Sequence, residues 1–166
     1  MTRERFISEA RACQGQLRRF LASLCGDAAL ADDIAQEALV RAYVMSDHFA
    51  GSFKAWLFRI AYNCFIDNLR RVPPPAVDLN APEALHVAGK EESDAAFRHE
   101  DLKRALSRIP EKERTAIVLH YFEDLPVKEI AAIMDIPAGT VKYYLSVGRN
   151  HLKNTFAYDG HRTIPT

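Results

Sequence analysis

The chain has 166 residues, 48% of them apolar and 27% charged, enough to pack one ordinary domain or two small ones. Its 22 Lys and Arg balance its 22 Asp and Glu, so it lacks the net positive charge of a protein that coats nucleic acid without selectivity. No apolar run approaches the ~18 residues of a membrane span and the N-terminus carries no signal-peptide pattern, so a cytoplasmic chain without direct membrane insertion is expected.

In chain order, Phe6, Ala10, Cys13, Leu17, Phe20, Leu21 and Leu24 recur at steps of three and four, the spacing of one helix face, and Gly26 closes that helix. Ala31, Ile34, Ala38, Ala42 and Met45 form a second stripe. A glycine-containing loop, 46–52, precedes a third helix over about 53–71. This helix has two apolar stripes: Phe53, Trp56, Leu57, Ile60, Ala61 and Cys64 on one, Phe58, Tyr62, Phe65 and Leu69 on the other. One must fill a core, and the other meets either a neighbouring helix or a partner.

Pro73, Pro74 and Pro75, then Pro82, cannot continue a helix, and an acidic run comes after them at 91–94. Lys and Arg outnumber Asp and Glu 10 to 8 in 1–72 and 11 to 9 in 96–166, but are outnumbered 1 to 5 in 73–95. Beyond that acidic segment, Leu102, Leu106 and Ile109 precede Pro110. Ala116, Ile117, Leu119, His120 and Phe122 suggest a further helix, with two more after it. No alternating strand pattern occurs. The expectation is an all-α fold of two small helical modules joined by a flexible linker: module 1–72, linker 73–95, module 96–157 and a polar tail 158–166. Cys13, Cys25 and Cys64 are widely spaced and the histidines scattered, so reduced thiols, no metal and no cofactor are expected.

The last two helices read EIAAIMDIPAGTVKYYLSVGRNHL, residues 129–152, the rhythm of a helix-turn-helix. Ile130, Ala131, Ile133 and Met134 point inward from the first, and Pro137 suits the first turn of the second. Val141, Leu145, Gly148 and Leu152 make one stripe of that second helix. At about 100° per residue the opposite face holds Gly139, Tyr143, Ser146 and Asn150. Lys142, Arg149 and Lys153 flank it on one side, Tyr144 and Val147 on the other. A plain bundle hairpin shares the apolar spacing, whereas the Ile-Pro-x-Gly-Thr-Val turn is the more specific signal.

In the first module Asp33, Gln36, Glu37 and Arg41 fall within little more than two helical turns. Read alone they make a solvated face with an acid near a helix N-terminus. No nucleophile or pocket pattern accompanies them, so neither an enzyme nor a small-molecule substrate is expected.

Two blocks together carry a family resemblance. LSRIPEKERTAIVLHYFEDLPVKEIAAIMDIPAGTVKYYLSVGRNHLK, residues 106–153, resembles the fourth conserved region of bacterial sigma factors. DDIAQEALVRAYVMSDHFAGSFKAWLFRIAYNCFIDNLRR, residues 32–71, resembles the second. A small chain with only these modules is similar to the extracytoplasmic-function group. The resemblance implies a promoter-specificity subunit with core RNA polymerase and promoter DNA as partners and an anti-sigma factor as inhibitor. Asp33, Gln36, Glu37 and Arg41 would meet polymerase. The loop with Ser46, Phe49 and Ser52, and Asn63, Asp67, Arg70 and Arg71 on the helix after it, would take the minus-ten element. Extruded bases offer faces to stack on and edges to bond, arginines neutralise phosphates, and Asn63 can read an edge. Thr140, Lys142, Tyr143, Ser146, Arg149, Asn150 and Lys153 would face the minus-thirty-five element. The acidic linker would thread polymerase channels.

Departures from the family pattern are few but placed together. Tyr62 stands where a basic residue is common. On the recognition helix Tyr144 and Val147 replace two arginines and Tyr143 a serine. A sigma-like mimic that sequesters an anti-sigma factor is therefore the alternative. A simple helix-turn-helix repressor would leave the first module without a role.

Overall fold

The computed structural model describes residues 1–71 and 94–158; the expected linker, apart from its last two positions, and nearly all of the expected tail lie outside the described residues. The chain divides into two compact units, the first carrying the helices up to Arg71 and the second most of those from Asp94 onward. Among the described residues every regular element is helical.

The first unit is three long helices, α1 (Arg3–Cys25), α2 (Ala28–Val44) and α3 (Phe53–Arg71), with a single 3-10 turn (Ser46–His48) before α3. Local chemistry sets the boundaries. The Thr2 hydroxyl accepts from the Arg5 N–H at 3.1 Å, and the Asp27 carboxylate accepts from Ala29 and Leu30 at 3.0 and 3.3 Å. Both satisfy N–H groups that the first helical turn leaves without partners. Gly26 ends α1 at φ 71°, a left-handed conformation a side chain resists, and its N–H bonds the Ala22 carbonyl at 2.9 Å.

Phe6, Cys13, Leu17, Phe20, Leu21 and Leu24 of α1 are buried, and α2 meets them with Ala31, Ile34, Ala35, Ala38 and Ala42. Alanines on α2 keep the helices close, and the bulk is supplied by α3. Both apolar stripes of α3 are inside: Phe53, Leu57, Ile60, Ala61 and Cys64 on one, Phe58, Tyr62 and Phe65 on the other. The second stripe therefore meets a neighbouring helix rather than a partner, and only Leu69, 49% exposed in the last turn, departs from it. Phe20 stacks on Phe58 with ring centroids 5.0 Å apart. Each such fully buried side chain contributes about 2 kcal/mol by removal from water. Met45, expected inside, is exposed because α2 ends at Val44 and the chain turns there. Burial pushes the Cys64 thiol up to about 11, so it stays protonated at neutral pH; all three cysteines are reduced.

The second unit contains α4 (Asp94–Ser107), α5 (Glu111–Ile117) running into a π turn (Val118–Phe122), α6 (Val127–Met134) as far as Ala131, and α7 (Ala138–Tyr158). Arg114 ties α4 to α5 by donating from Nε to the Leu106 carbonyl at 3.0 Å and from Nη2 to that of Ile109 at 3.1 Å. The Leu106 carbonyl also accepts from the Ile109 N–H at 3.3 Å, so the chain between α4 and α5 is fixed by side-chain and backbone donors together. α5 packs on α7 at Gly148, where a Cβ would stand 2.7 Å from Ile117 Cδ1. Glu113 is buried beside this contact, its Oε1 2.6 Å from His151 Nδ1. Asp124 and Asp135, both at φ 58°, turn the chain after the π turn and after α6; aspartate tolerates that left-handed region better than most residues.

Candidate polymerase and promoter surfaces

On the first unit, α2 keeps one face in solvent. Asp33 and Gln36 are exposed on it. In line with them at helical spacing stand Val40, 64% exposed, and Val44, 75% exposed, with Tyr43 beside them. The two valines were missed by sequence reading because they interrupt no apolar stripe; an apolar residue on the polar side of an amphipathic helix was the available signal.

Glu37 and Arg41 do something different. They are half-buried and belong to an ion network across α2 and α3. Arg41 Nη2 donates to Glu37 Oε2 at 2.5 Å, and Arg41 Nη1 to Asp67 Oδ2 at 3.4 Å. Arg71 Nη2 approaches the same Glu37 oxygen at 3.9 Å. Arg41 is held above its ordinary range, first by Cys64 and then by Glu37 and Asp67, and is always charged. Residues that the resemblance divides between polymerase and DNA are thus joined in one cluster.

The rest of the expected minus-ten group is split by the structure. Ser52 caps α3: its Oγ accepts from the Ala55 N–H at 3.2 Å and its carbonyl from Trp56 at 3.0 Å. Phe49 packs on its own unit, 5.4 Å from Trp56 and 5.8 Å from Phe53, with the Arg5 guanidinium 5.8 Å from its ring. The Ser46 carbonyl closes the 3-10 turn by accepting from the Phe49 N–H at 3.2 Å. On α3, Asn63, Arg70 and Arg71 are exposed, and Arg59, four residues before Asn63, extends their face. Arg59 also went unread, although a cation one turn before a polar pair was visible. Tyr62, by contrast, is buried against Phe65, so the substitution of a basic residue there belongs to the core.

On the second unit, Lys142, Tyr143, Ser146, Arg149, Asn150 and Lys153 are all exposed, while Thr140 is half-buried. Their spacing puts them along one side of α7, opposite buried Val141, Leu145 and Leu152. Tyr143 is 61% exposed, whereas Tyr144 and Val147 are half-buried. Of the large apolar groups on or beside this face, Tyr143 is therefore the one most open to solvent. Arg149 Nη1 donates to the Tyr121 hydroxyl at 2.9 Å, so a residue of the π turn holds one of this face's cations. A three-residue turn, 135–137, joins α6 to α7, and the Ile136 N–H bonds the Ala131 carbonyl at 3.1 Å. Pro137 stands just ahead of α7, its carbonyl accepting from Thr140 and Val141.

Comparison with known proteins gives the class of a chain built from two such helical units. Residues 10–72 match the family model described as Sigma-70 region 2, and residues 99–152 the one described as Sigma-70, region 4. The chain is 34% identical over 144 residues to the ECF RNA polymerase sigma factor SigW of Bacillus subtilis, covering 78% of this chain and 77% of that one. It is 38% identical over 142 residues to the ECF RNA polymerase sigma-E factor of Escherichia coli, covering 74% and 71%. Among solved structures it resembles the sigma factor RpoE of Bartonella quintana, which was co-crystallised with the anti-sigma factor NepR. That likeness has a TM-score of 0.76 and 28% identity, covering 94% of this chain and 99% of the other. The chain belongs to the extracytoplasmic-function sigma factors of the sigma-70 family. It is a non-catalytic regulator of transcription.

Proposed function

We propose that the chain is a promoter-specificity subunit that docks on core RNA polymerase through α2, places its first unit on the minus-ten element and its second on the minus-thirty-five element, and is silenced by an anti-sigma factor. The observation that carries this reading is the solvent face of α2. Gln36 stands there in line with two valines more than three-fifths exposed, and apolar groups kept in water on a polar face indicate a protein partner. Arg59, Asn63, Arg70 and Arg71 on α3 suit a backbone-and-base contact. Lys142, Arg149 and Lys153 suit phosphates flanking α7 as the second helix of a helix-turn-helix. The complex of the Bartonella quintana relative with NepR supports an inhibitor of the same kind here. Exposed Tyr143 favours a second reading, in which α7 serves a protein contact alone and the chain is a mimic that sequesters an anti-sigma factor.

Gln36→Ala with Val40→Ala tests the docking face. Both positions are exposed, so stability should change by under about 0.5 kcal/mol. Capture by purified core polymerase should weaken about tenfold; unchanged capture removes α2 from the interface.

A further inference from the structure

The ion network in the first unit has an arrangement that sequence spacing alone does not give. Asp67 and Arg71 are four residues apart on α3 with the acid first, the favourable order for an intrahelical pair. Asp67 Oδ2 is instead engaged by Arg41 of α2 at 3.4 Å. Glu37 Oε2 likewise goes to Arg41 at 2.5 Å and stands 3.9 Å from Arg71, beyond hydrogen-bond length. Arg70 makes no ion pair with the described residues. Two carboxylates, Glu37 and Asp67, thus spend themselves largely on one cation, and the two arginines at the end of α3 remain exposed.

We propose that Arg41 is a positioning residue for promoter binding: by occupying Glu37 and Asp67 it keeps Arg71, and with it Arg70, available to DNA phosphates. Without Arg41 both carboxylates have Arg71 within a side-chain rotation, and a cation paired inside the protein no longer neutralises a phosphate. This rests on the reading that Arg70 and Arg71 lie on the promoter. It assigns Arg41 no contact with polymerase or DNA of its own.

The test uses full-length chain with saturating core polymerase and a fluorescent fork-junction DNA pool whose single-stranded minus-ten segment is randomised. Random sequence suffices because phosphate contacts carry no sequence information. Arg41→Met should lower affinity about threefold and reduce the slope of log affinity against log salt by about 0.7, the share of one phosphate contact on a single strand. Adding Glu37→Gln and Asp67→Asn to Arg41→Met should restore both, because neutral amides no longer capture Arg71. A merely structural role for Arg41, or a direct contact with DNA, predicts no rescue by the two amide changes, and that result overturns the proposal. So does an Arg41→Met protein with unchanged affinity and slope. Arg70→Ala with Arg71→Ala separates the two readings. If that variant binds as wild type, the placement of α3 on DNA fails; if it loses binding while Glu37→Gln with Asp67→Asn rescues nothing, only the role of Arg41 fails.

Discussion

An alanine at position 148 would place its Cβ 2.7 Å from Ile117 Cδ1 and 3.3 Å from Glu113 Cβ. Both neighbours are buried, so neither has free space to retreat into. Glycine in a helix interior costs about 1 kcal/mol relative to alanine, whereas overpacking a tight contact costs about 1–3 kcal/mol. Gly148→Ala should therefore lose about 1 kcal/mol, and Gly148→Leu more. Gly139, on the same helix, meets nothing within 4 Å of an added Cβ. There only the backbone effect acts, and Gly139→Ala should gain about 0.5–1 kcal/mol. Urea denaturation of both variants checks the pair; a Gly148→Ala protein as stable as wild type shows that the α5–α7 approach is not tight.

At the scale of the element, caps decide more than the sequence motif suggests. Ser52 accepts the Ala55 N–H, so Ser52→Ala should destabilise the first unit by about 1 kcal/mol in thermal melts of the free protein. A variant with unchanged stability but weaker promoter binding would give Ser52 to DNA instead. Helices, their stripes and their closing residues were legible because they depend on neighbours a few positions away. The π turn was not. The Glu123 N–H reaches the Val118 carbonyl at 3.1 Å, five residues back, and the extra residue rotates the downstream chain by about 100°. Phe122, read as continuing an inward stripe, consequently faces out. The ion network was equally unreadable. Arg41 and Asp67 lie 26 positions apart, and only the crossing of α2 and α3 joins them. Spacing alone put Asp33, Gln36, Glu37 and Arg41 on one common face, yet packing turns two outward and two toward α3.

At the scale of the whole molecule, charge limits how the chain can bind DNA. The segments 1–72 and 96–166 each carry a surplus of two cations, and the segment between them a deficit of four. Coulomb attraction alone therefore holds little duplex, and α7 must contribute specific contact if it reads promoter. Tyr143 stands at the centre of its exposed face, able to meet a thymine methyl, a phosphate or an aromatic-seeking protein surface. If inhibitor and promoter take this face in turn, opposite demands fall on two positions. Tyr143→Ala should weaken both the minus-thirty-five contact and the anti-sigma contact. Val147 is half-buried, so in Val147→Arg the alkyl stem can lie along α7 while the guanidinium reaches solvent beside the face. That variant should keep or raise affinity for duplex DNA and steepen its salt slope by about 0.9, while weakening the inhibitor about tenfold. Both affinities need measuring on both variants, with whichever anti-sigma factor retains the wild-type chain. A Val147→Arg protein that loses DNA yet keeps its inhibitor sinks the shared face, and one for which neither variant alters DNA binding gives α7 to protein contact alone.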